Sequence, residues 1–145
     1  MTSLCETDDQ SLRVVILHPR ATLPASAHVD DAGYDVMMPG MVVDYSVCIV
    51  PLGIAVEAPP GTYIQIAGRS SLAAKGVQPL GGVVDRGYSG EISVLLHNHN
   101  DERLKLEAGD QIAQLLVLHI AKPRPLHVKE LQASARGLQG FGSTG

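Results

Sequence analysis

A chain of 145 residues that is 45% hydrophobic but only 3% aromatic suits one domain, with a core packed from Val, Leu, Ile, Ala and Met. Its formal charge of −4 argues against a non-specific nucleic-acid binder, which needs clustered Lys and Arg for the phosphates. A small phosphorylated ligand stays open, because backbone amides and a few Arg side chains suffice to hold one. No segment reaches the roughly 20 apolar residues that span a bilayer. The acidic N-terminus (Glu6, Asp8, Asp9) lacks the basic-then-apolar pattern of a signal peptide. Cys5 and Cys48 make neither a disulfide framework nor a CxxC metal motif, so two reduced thiols in an intracellular compartment, cytoplasmic or nuclear, are expected.

In chain order, residues 1–10 are polar, acidic and aperiodic and read as a mobile tail. Leu12–Leu17 is a β-branched run stopped by Pro19, a first strand. Met41–Val50 and Gly53–Glu57 read as strands separated at Pro51 and closed by Pro59-Pro60-Gly61. Thr62–Ala67 alternates Tyr63 and Gln65 against Ile64 and Ile66, the period of a half-buried strand. Ser70–Lys75, ended by Gly76, is the one stretch with helical character. Glu91–Leu96 and Ile112–Ile120 are apolar strands, the second continuous enough to be buried on both faces. His127–Leu131 reads as a last strand before a glycine-rich end. With 15 Gly and 9 Pro as punctuation, the expected fold is an all-β sandwich or jelly roll with one short helix.

Five segments carry the chemistry. The C-terminal run from Arg136 to Gly145 combines glycines that free backbone N–H groups for an anion with the hydroxyls of Ser143 and Thr144. Arg136 adds a planar fork for a phosphate. Phe141, the sole Phe, stands among glycines, where stacking on a flat base is easier to build than a core contact. The other reading of this run is an ordinary mobile terminus. Gly82–Glu91 reads as a β-hairpin with Asp85 closing its first strand, placed to take a proton from water, and with Tyr88 as a floor under a sugar. An Asp that merely satisfies turn amides is the alternative. Gly68-Arg69-Ser70-Ser71-Leu72 offers Arg69 and successive amides at a helix start as a phosphate cradle. Gly109–Gln114 is a turn entering a buried strand, with Gln114 able to donate an amide hydrogen. Taken singly, these last two are equally turn and strand features. In Asp31–Asp35, Asp35 can hold a hard cation directly or through water, or simply serve a turn. His97 and His99 share a face if their strand continues, but without a third ligand they read as exposed polar residues at a strand end.

In this order and at these separations, the five segments resemble the five motifs of the trimeric dUTPase family, from about Ala21 to Gly145. Ala32-Gly33-Tyr34-Asp35 resembles the first motif, Arg69–Ala73 the second and Gly82–Gly90 the third; Gly109–Gln114 and Arg136–Gly145 resemble the fourth and fifth. The resemblance implies a distorted jelly-roll body over residues 11–135, a phosphate-binding tail over residues 136–145, and a homotrimer whose sites are shared between subunits. It implies magnesium-dependent hydrolysis of dUTP to dUMP and pyrophosphate, which lowers the dUTP/dTTP ratio and supplies dUMP for dTTP synthesis. By matching positions, Asp85 is the base that activates water and Tyr88 packs on the deoxyribose. Backbone groups of Gly82, Val83 and Val84 read uracil. Arg69, Ser70, Ser71 and Gln114 fall in the phosphate motifs, while Arg136, Gly142, Ser143 and Thr144 hold the γ end and Phe141 covers the base. Asp35 is an outer-shell partner of magnesium, through water.

Four positions depart from the family pattern: Ser71 and Gln139 stand where Gly is usual, Gln111 replaces a common Arg, and Pro79 replaces an Asn frequent in bacterial members. None falls on Asp85, Tyr88, Arg136 or Phe141. Two other functions fit these residues less well. A dCTP deaminase, which the same fold supports, needs a carboxylate beyond the hairpin where this chain reads Ser93-Val94-Leu95-Leu96. A catalytically dead binding module would be missing motifs that are all present here.

Overall fold

The computed structural model describes residues 10–37, 41–43, 46–140 and 142, and they form a nearly all-β unit. The strands are β1 (Arg13–Ile16), β2 (Tyr34–Met37), β3 (Met41–Val43), β4 (Val47–Pro51), β5 (Ile54–Glu57) and β6 (Thr62–Ala67). After one helical turn, α1 (Ser70–Ala73), come β7 (Val77–Leu80), β8 (Val83–Val84), β9 (Ser93–Asn98), β10 (Leu104–Leu106) and β11 (Gln111–His119). A four-stranded sheet runs β2-β11-β6-β8 and a three-stranded sheet β4-β9-β7, with the pairs β1-β5 and β10-β3 completing a distorted jelly roll. All the pairings are antiparallel.

One apolar core joins every sheet. Val36, Val50, Ile54, Ile64, Ile66, Val77, Val94, Leu96, Leu106, Ile112 and Leu115 pack together with Leu72 of α1. Strand periodicity explains the choice. In β6 the odd members Tyr63 and Gln65 are half-buried while Ile64 and Ile66 are buried, as their alternation predicts. In β11 both Ile112 and Ala113 are fully buried, which strict alternation forbids. A register shift between Gln111 and Ala113 against β2 resolves this, because a bulge turns two successive residues inward.

The structure corrects the sequence reading at several points. The run Met41–Val50 is two strands on different partners: β3 pairs β10 and β4 pairs β9. Gly82–Glu91 is not a two-stranded hairpin, because β8 pairs β6 while β9 pairs β4 and β7. Strands β2, β7 and β10 lacked a signal; β7 contains Pro79 but lies at a sheet edge, where a missing N–H costs no ladder bond. The continuous burial expected of β11 fails toward its end, where Leu118 and His119 are exposed. His127–Leu131 forms no strand and lies exposed. Of the tail expected over residues 1–10, all but Gln10 falls outside the described residues.

Candidate active site

Strand β8 ends one edge of its sheet, and this edge builds the first half of the site. Val84 lies opposite Ile64 and Val83 opposite Gln65, while the Ile66 N–H donates to the Gly82 carbonyl at 2.7 Å. Hydrogen-bonded and non-bonded pairs alternate along an antiparallel ladder. The peptide groups of Gly82 and Val84 therefore face β6, and those of Val83 face the open edge. Gly82 must be glycine here. Its φ is +101°, and an added Cβ would sit 2.6 Å from the Ile66 carbonyl oxygen. We expect Gly82→Ala to cost about 1–3 kcal/mol of stability through strain at this position. Gly87→Ala, where an added Cβ meets nothing within 4 Å, is the control and should melt like the parent. Equal melting temperatures for all three proteins would show that the β6–β8 contact is not under such constraint.

Beyond β8 the chain turns, with the Tyr88 N–H donating to the Asp85 carbonyl at 3.0 Å. Val83, Val84, Asp85, Tyr88, Glu91, Ile92 and Ser93 line a cavity of about 280 Å³. Asp85 is exposed at its mouth. The Tyr88 hydroxyl donates to the Glu91 carbonyl at 2.9 Å, which lays the ring across Gly90; a Cβ on Gly90 would meet that hydroxyl at 2.6 Å. A carboxylate, a fixed aromatic plane and an unpaired strand edge thus share one opening. Such a set can place a planar hydrogen-bonding base, its sugar and a water molecule.

The second half lies where β2, β11 and β6 run side by side. Asp35 of β2 stands opposite Gln114 of β11, and Gln114 opposite Ala67 of β6. Arg69, two residues past β6, donates from Nε to Asp35 Oδ1 at 3.0 Å and from its NH1 group to the Gln111 carbonyl at 3.3 Å. Both side chains of this ion pair are mostly buried, so it holds the entry to α1 against two strands. Gln114 Nε2 donates to the Gly68 carbonyl at 2.9 Å. Gly33 leaves room for this, since a Cβ there would meet Gln114 Oε1 at 2.6 Å. Asp35 is therefore a strand residue rather than a turn residue, and Gln114 belongs to an interior strand rather than an edge. Ser70 and Ser71 are exposed on α1, and a groove of about 370 Å³ runs past Arg69, Ser71, Lys75, Lys105, Asp110 and Gln111. Asp110 accepts from the Glu107 N–H at 2.7 Å, the turn role open to it.

In the tail, Arg136 Nε donates to the Gln139 carbonyl at 2.7 Å and the Gly137 N–H to the Ser134 carbonyl at 3.2 Å, a local turn with Gly137 at φ +59°. Gly142 is exposed with φ +71°. Phe141, Ser143 and Thr144 lie outside the described residues. Three of the departures from the family pattern find a physical account. Gln139 does not take a positive φ, so its position does not demand glycine. Gln111 is used through its backbone carbonyl, and Pro79 sits on an edge strand. Ser71 is exposed on α1.

A single copy does not bring the two halves together. Following the register past the Ile64–Val84 pair places Asp85 level with Tyr63, at the far end of β6 from Gly68. At strand rise, that separation is roughly 16 Å. The cavity around Asp85 contains none of Arg69, Ser70 or Gln114, and the groove around Arg69 contains neither Asp85 nor Tyr88. Sequence reading missed Glu91, Ser93 and Arg86 as neighbours of Asp85. Gly90, two residues after an aromatic, was the available signal for a ring laid on backbone. Among the described residues no three His, Cys, Asp or Glu side chains cluster as a metal cage. The His97 and His99 rings sit 3.9 Å apart and His99 Nε2 lies 3.1 Å from Gln78 Nε2. No helix among the described residues is long and apolar enough to cross a membrane.

The architecture is that of a small jelly-roll protein with an acid-bearing, base-sized cavity at a sheet edge. The dUTPase family model matches residues 20–145. A deoxyuridine 5′-triphosphate nucleotidohydrolase of Kluyveromyces lactis is 38% identical over 146 residues, covering 98% of this chain and 99% of the relative. The one from Saccharomyces cerevisiae is 39% identical over 147 residues, covering 96% and 97%. Among solved structures, the dUTPase of Staphylococcus bacteriophage 80alpha with dUPNHPP superposes with a TM-score of 0.83 at 28% identity, covering 93% of this chain and 98% of that one. The chain belongs to the dUTPase family.

Proposed function

We propose that this protein is a magnesium-dependent homotrimeric enzyme that hydrolyses dUTP to dUMP and pyrophosphate. The observation that carries the reading is the single opening that joins the Asp85 carboxylate, the Tyr88 ring and the outward peptide groups of Val83. Val83 and its neighbours Gly82 and Val84 read the uracil edge, and Tyr88 packs on deoxyribose where a 2′-hydroxyl would collide. Asp85 takes a proton from water as the water oxygen attacks the α-phosphorus. The bond from that phosphorus to the bridging oxygen of the β-phosphate breaks, and pyrophosphate leaves. Positioning and charge stabilisation dominate such chemistry.

Ser70, Ser71 and Gln114 hold phosphates from a neighbouring subunit, with Arg69 fixing that segment on Asp35 as well as contributing charge. Residues 11–135 form the body, and residues 136–145 bring Arg136, Phe141, Gly142, Ser143 and Thr144 to the nucleotide. Magnesium fits as an ion that arrives with the triphosphate. Asp35 spends one carboxylate oxygen on Arg69 and has the other for a metal-bound water, and no acidic cage is present among the described residues. When bound, the ion neutralises charge on the phosphate oxygens.

Sharing between copies is supported by the separation of the two halves and by uncovered apolar surface. Val47, Ile49 and Leu95 are exposed on one face of the β4-β9-β7 sheet, with Ile49 62% accessible. Leu126, Val128 and Leu131 are exposed beyond β11, Leu131 at 86%. Light scattering is expected to return three times the 15.3 kDa chain mass. A fully active monomer at working concentration would refute the shared site. The activity itself is tested by pyrophosphate release from dUTP against dTTP, dCTP and UTP. dCTP matters because Glu91, a second carboxylate, lines the same cavity; ammonia release from dCTP with no dUTP turnover would replace this reading with the deaminase one.

A further inference from the structure

The loop that carries Asp85 has little to hold it. Strand β8 is only Val83–Val84, and the backbone is not tied back to the body until just before β9, at Ile92, whose N–H donates to the Ile54 carbonyl at 2.8 Å and whose carbonyl accepts from the Leu52 N–H at 2.9 Å. Between these anchors stand Gly87 and Gly90, which add conformational freedom. The Tyr88 N–H to Asp85 carbonyl bond and the Tyr88 hydroxyl to Glu91 carbonyl bond are internal to the loop and cannot fix it in place.

One side chain ties the loop to the body among the described residues. Arg86 Nε donates to the Ala58 carbonyl at 3.1 Å. Ala58 is buried, 2% exposed, in the turn between β5 and β6, next to the Thr62 hydroxyl that caps Pro59 at 2.6 Å. The acceptor is therefore rigid, and the donor is the residue directly after Asp85. We propose that Arg86 is a positioning residue for the reaction: it sets the direction of the Asp85 carboxylate by clamping the loop to Ala58. The inference rests on Asp85 being the base of the reaction proposed above. A misplacement of about 1 Å in a catalytic group can cost on the order of 10²-fold in rate, so one such clamp is worth having.

An alternative role for Arg86, charge stabilisation of substrate phosphates, makes the opposite forecast for two variants. Gln places its Nε2 the same number of bonds from the backbone as Arg Nε, so it can make the bond to Ala58 without a charge. Lys keeps the charge but carries its ammonium one bond further out. For the clamp, Arg86→Ala should lower kcat for dUTP by about ten- to a hundredfold with KM changed by less than about threefold. Arg86→Gln should recover most of that loss, and Arg86→Lys less. Hydrogen exchange supplies a readout independent of turnover: amides of residues 85–91 should exchange faster in Arg86→Ala than in the parent, and near the parent rate in Arg86→Gln. Recovery by Lys and not by Gln would overturn the clamp in favour of charge, and unchanged exchange in Arg86→Ala would overturn it whatever the kinetics. A parent protein that does not turn over dUTP would instead refute the function proposed above, while the exchange comparison still decides whether Arg86 holds the loop.

Discussion

Asp85→Asn is expected to reduce dUTP turnover by about 10²- to 10⁴-fold, the usual cost of losing a general base. Nucleotide affinity should change little. Asn has the shape of Asp and can still orient a water molecule, but it cannot take the proton. The substitution should also be silent in folding, because Asp85 is exposed and the turn it begins is closed by its backbone carbonyl, not its carboxylate. Pyrophosphate release measures the first effect. Calorimetry with a non-hydrolysable dUTP analogue and magnesium measures the second. If Asp85→Asn hydrolyses dUTP near the parent rate, the base lies elsewhere, and Glu91 in the same cavity becomes the next residue to replace.

Strands that satisfy their own periodicity could be read from the sequence. Thr62–Ala67 has a clean alternation and is β6 with those same bounds. The missed strands β2, β7 and β10 are three or four residues long, too short for a period of two to emerge, and their pairing is decided by distant partners. The failed hairpin has a similar cause. Val83-Val84 and the run from Ser93 are near in sequence and apolar, which local reading joins by a tight turn. The core instead takes in Ile92, and draws Val94 and Leu96 into the sheet with β4 and β7, while Gly82 lets β8 approach β6. Tertiary burial outweighed proximity along the chain.

The site was legible in proportion to how local each part is. Asp85 and Tyr88 are three residues apart, and the structure sets both around one cavity. The Asp35–Arg69 ion pair was not foreseen, although both residues were named separately, because it exists only when β11 stands between β2 and β6. This pair also changes how Arg69 is understood: its guanidinium is engaged with Asp35 and Gln111, so a loss of activity on replacing it would mix lost charge with a displaced α1. Arg86 carried no motif signal. A basic residue after an acid looks like any loop residue until the Ala58 carbonyl appears beside it.

Removing residues 136–145 is expected to abolish measurable turnover, or lower it by more than 10²-fold, without altering the fold. The core ends early: its last fully buried member is Leu115, Val117 packs on its margin, and β11 closes at His119. Nothing from residue 120 to 140 is buried, and Arg136 bonds to Gln139 within its own turn rather than to the body. Among the described residues, truncation at residue 135 therefore deletes no core contact, and the melting temperature should stay within a few degrees of the parent. Under the proposed function, it removes the nucleotide contacts of the Arg136 guanidinium, the Ser143 and Thr144 hydroxyls and the Phe141 ring. Base–aromatic stacking contributes about 1–3 kcal/mol, so Phe141→Ala alone should weaken kcat/KM by roughly ten- to a hundredfold. Loss of the charged phosphate contacts adds to that, since bonds to charged groups are worth about 1.5–3 kcal/mol each. The truncated chain should still run as the same oligomer in light scattering, because Leu126, Val128 and Leu131, the exposed apolar residues of the arm, are retained. Parent-like turnover in the truncated protein would show that the glycine-rich end is an ordinary terminus after all, and a truncated protein that dissociates would move its role from the nucleotide to the assembly.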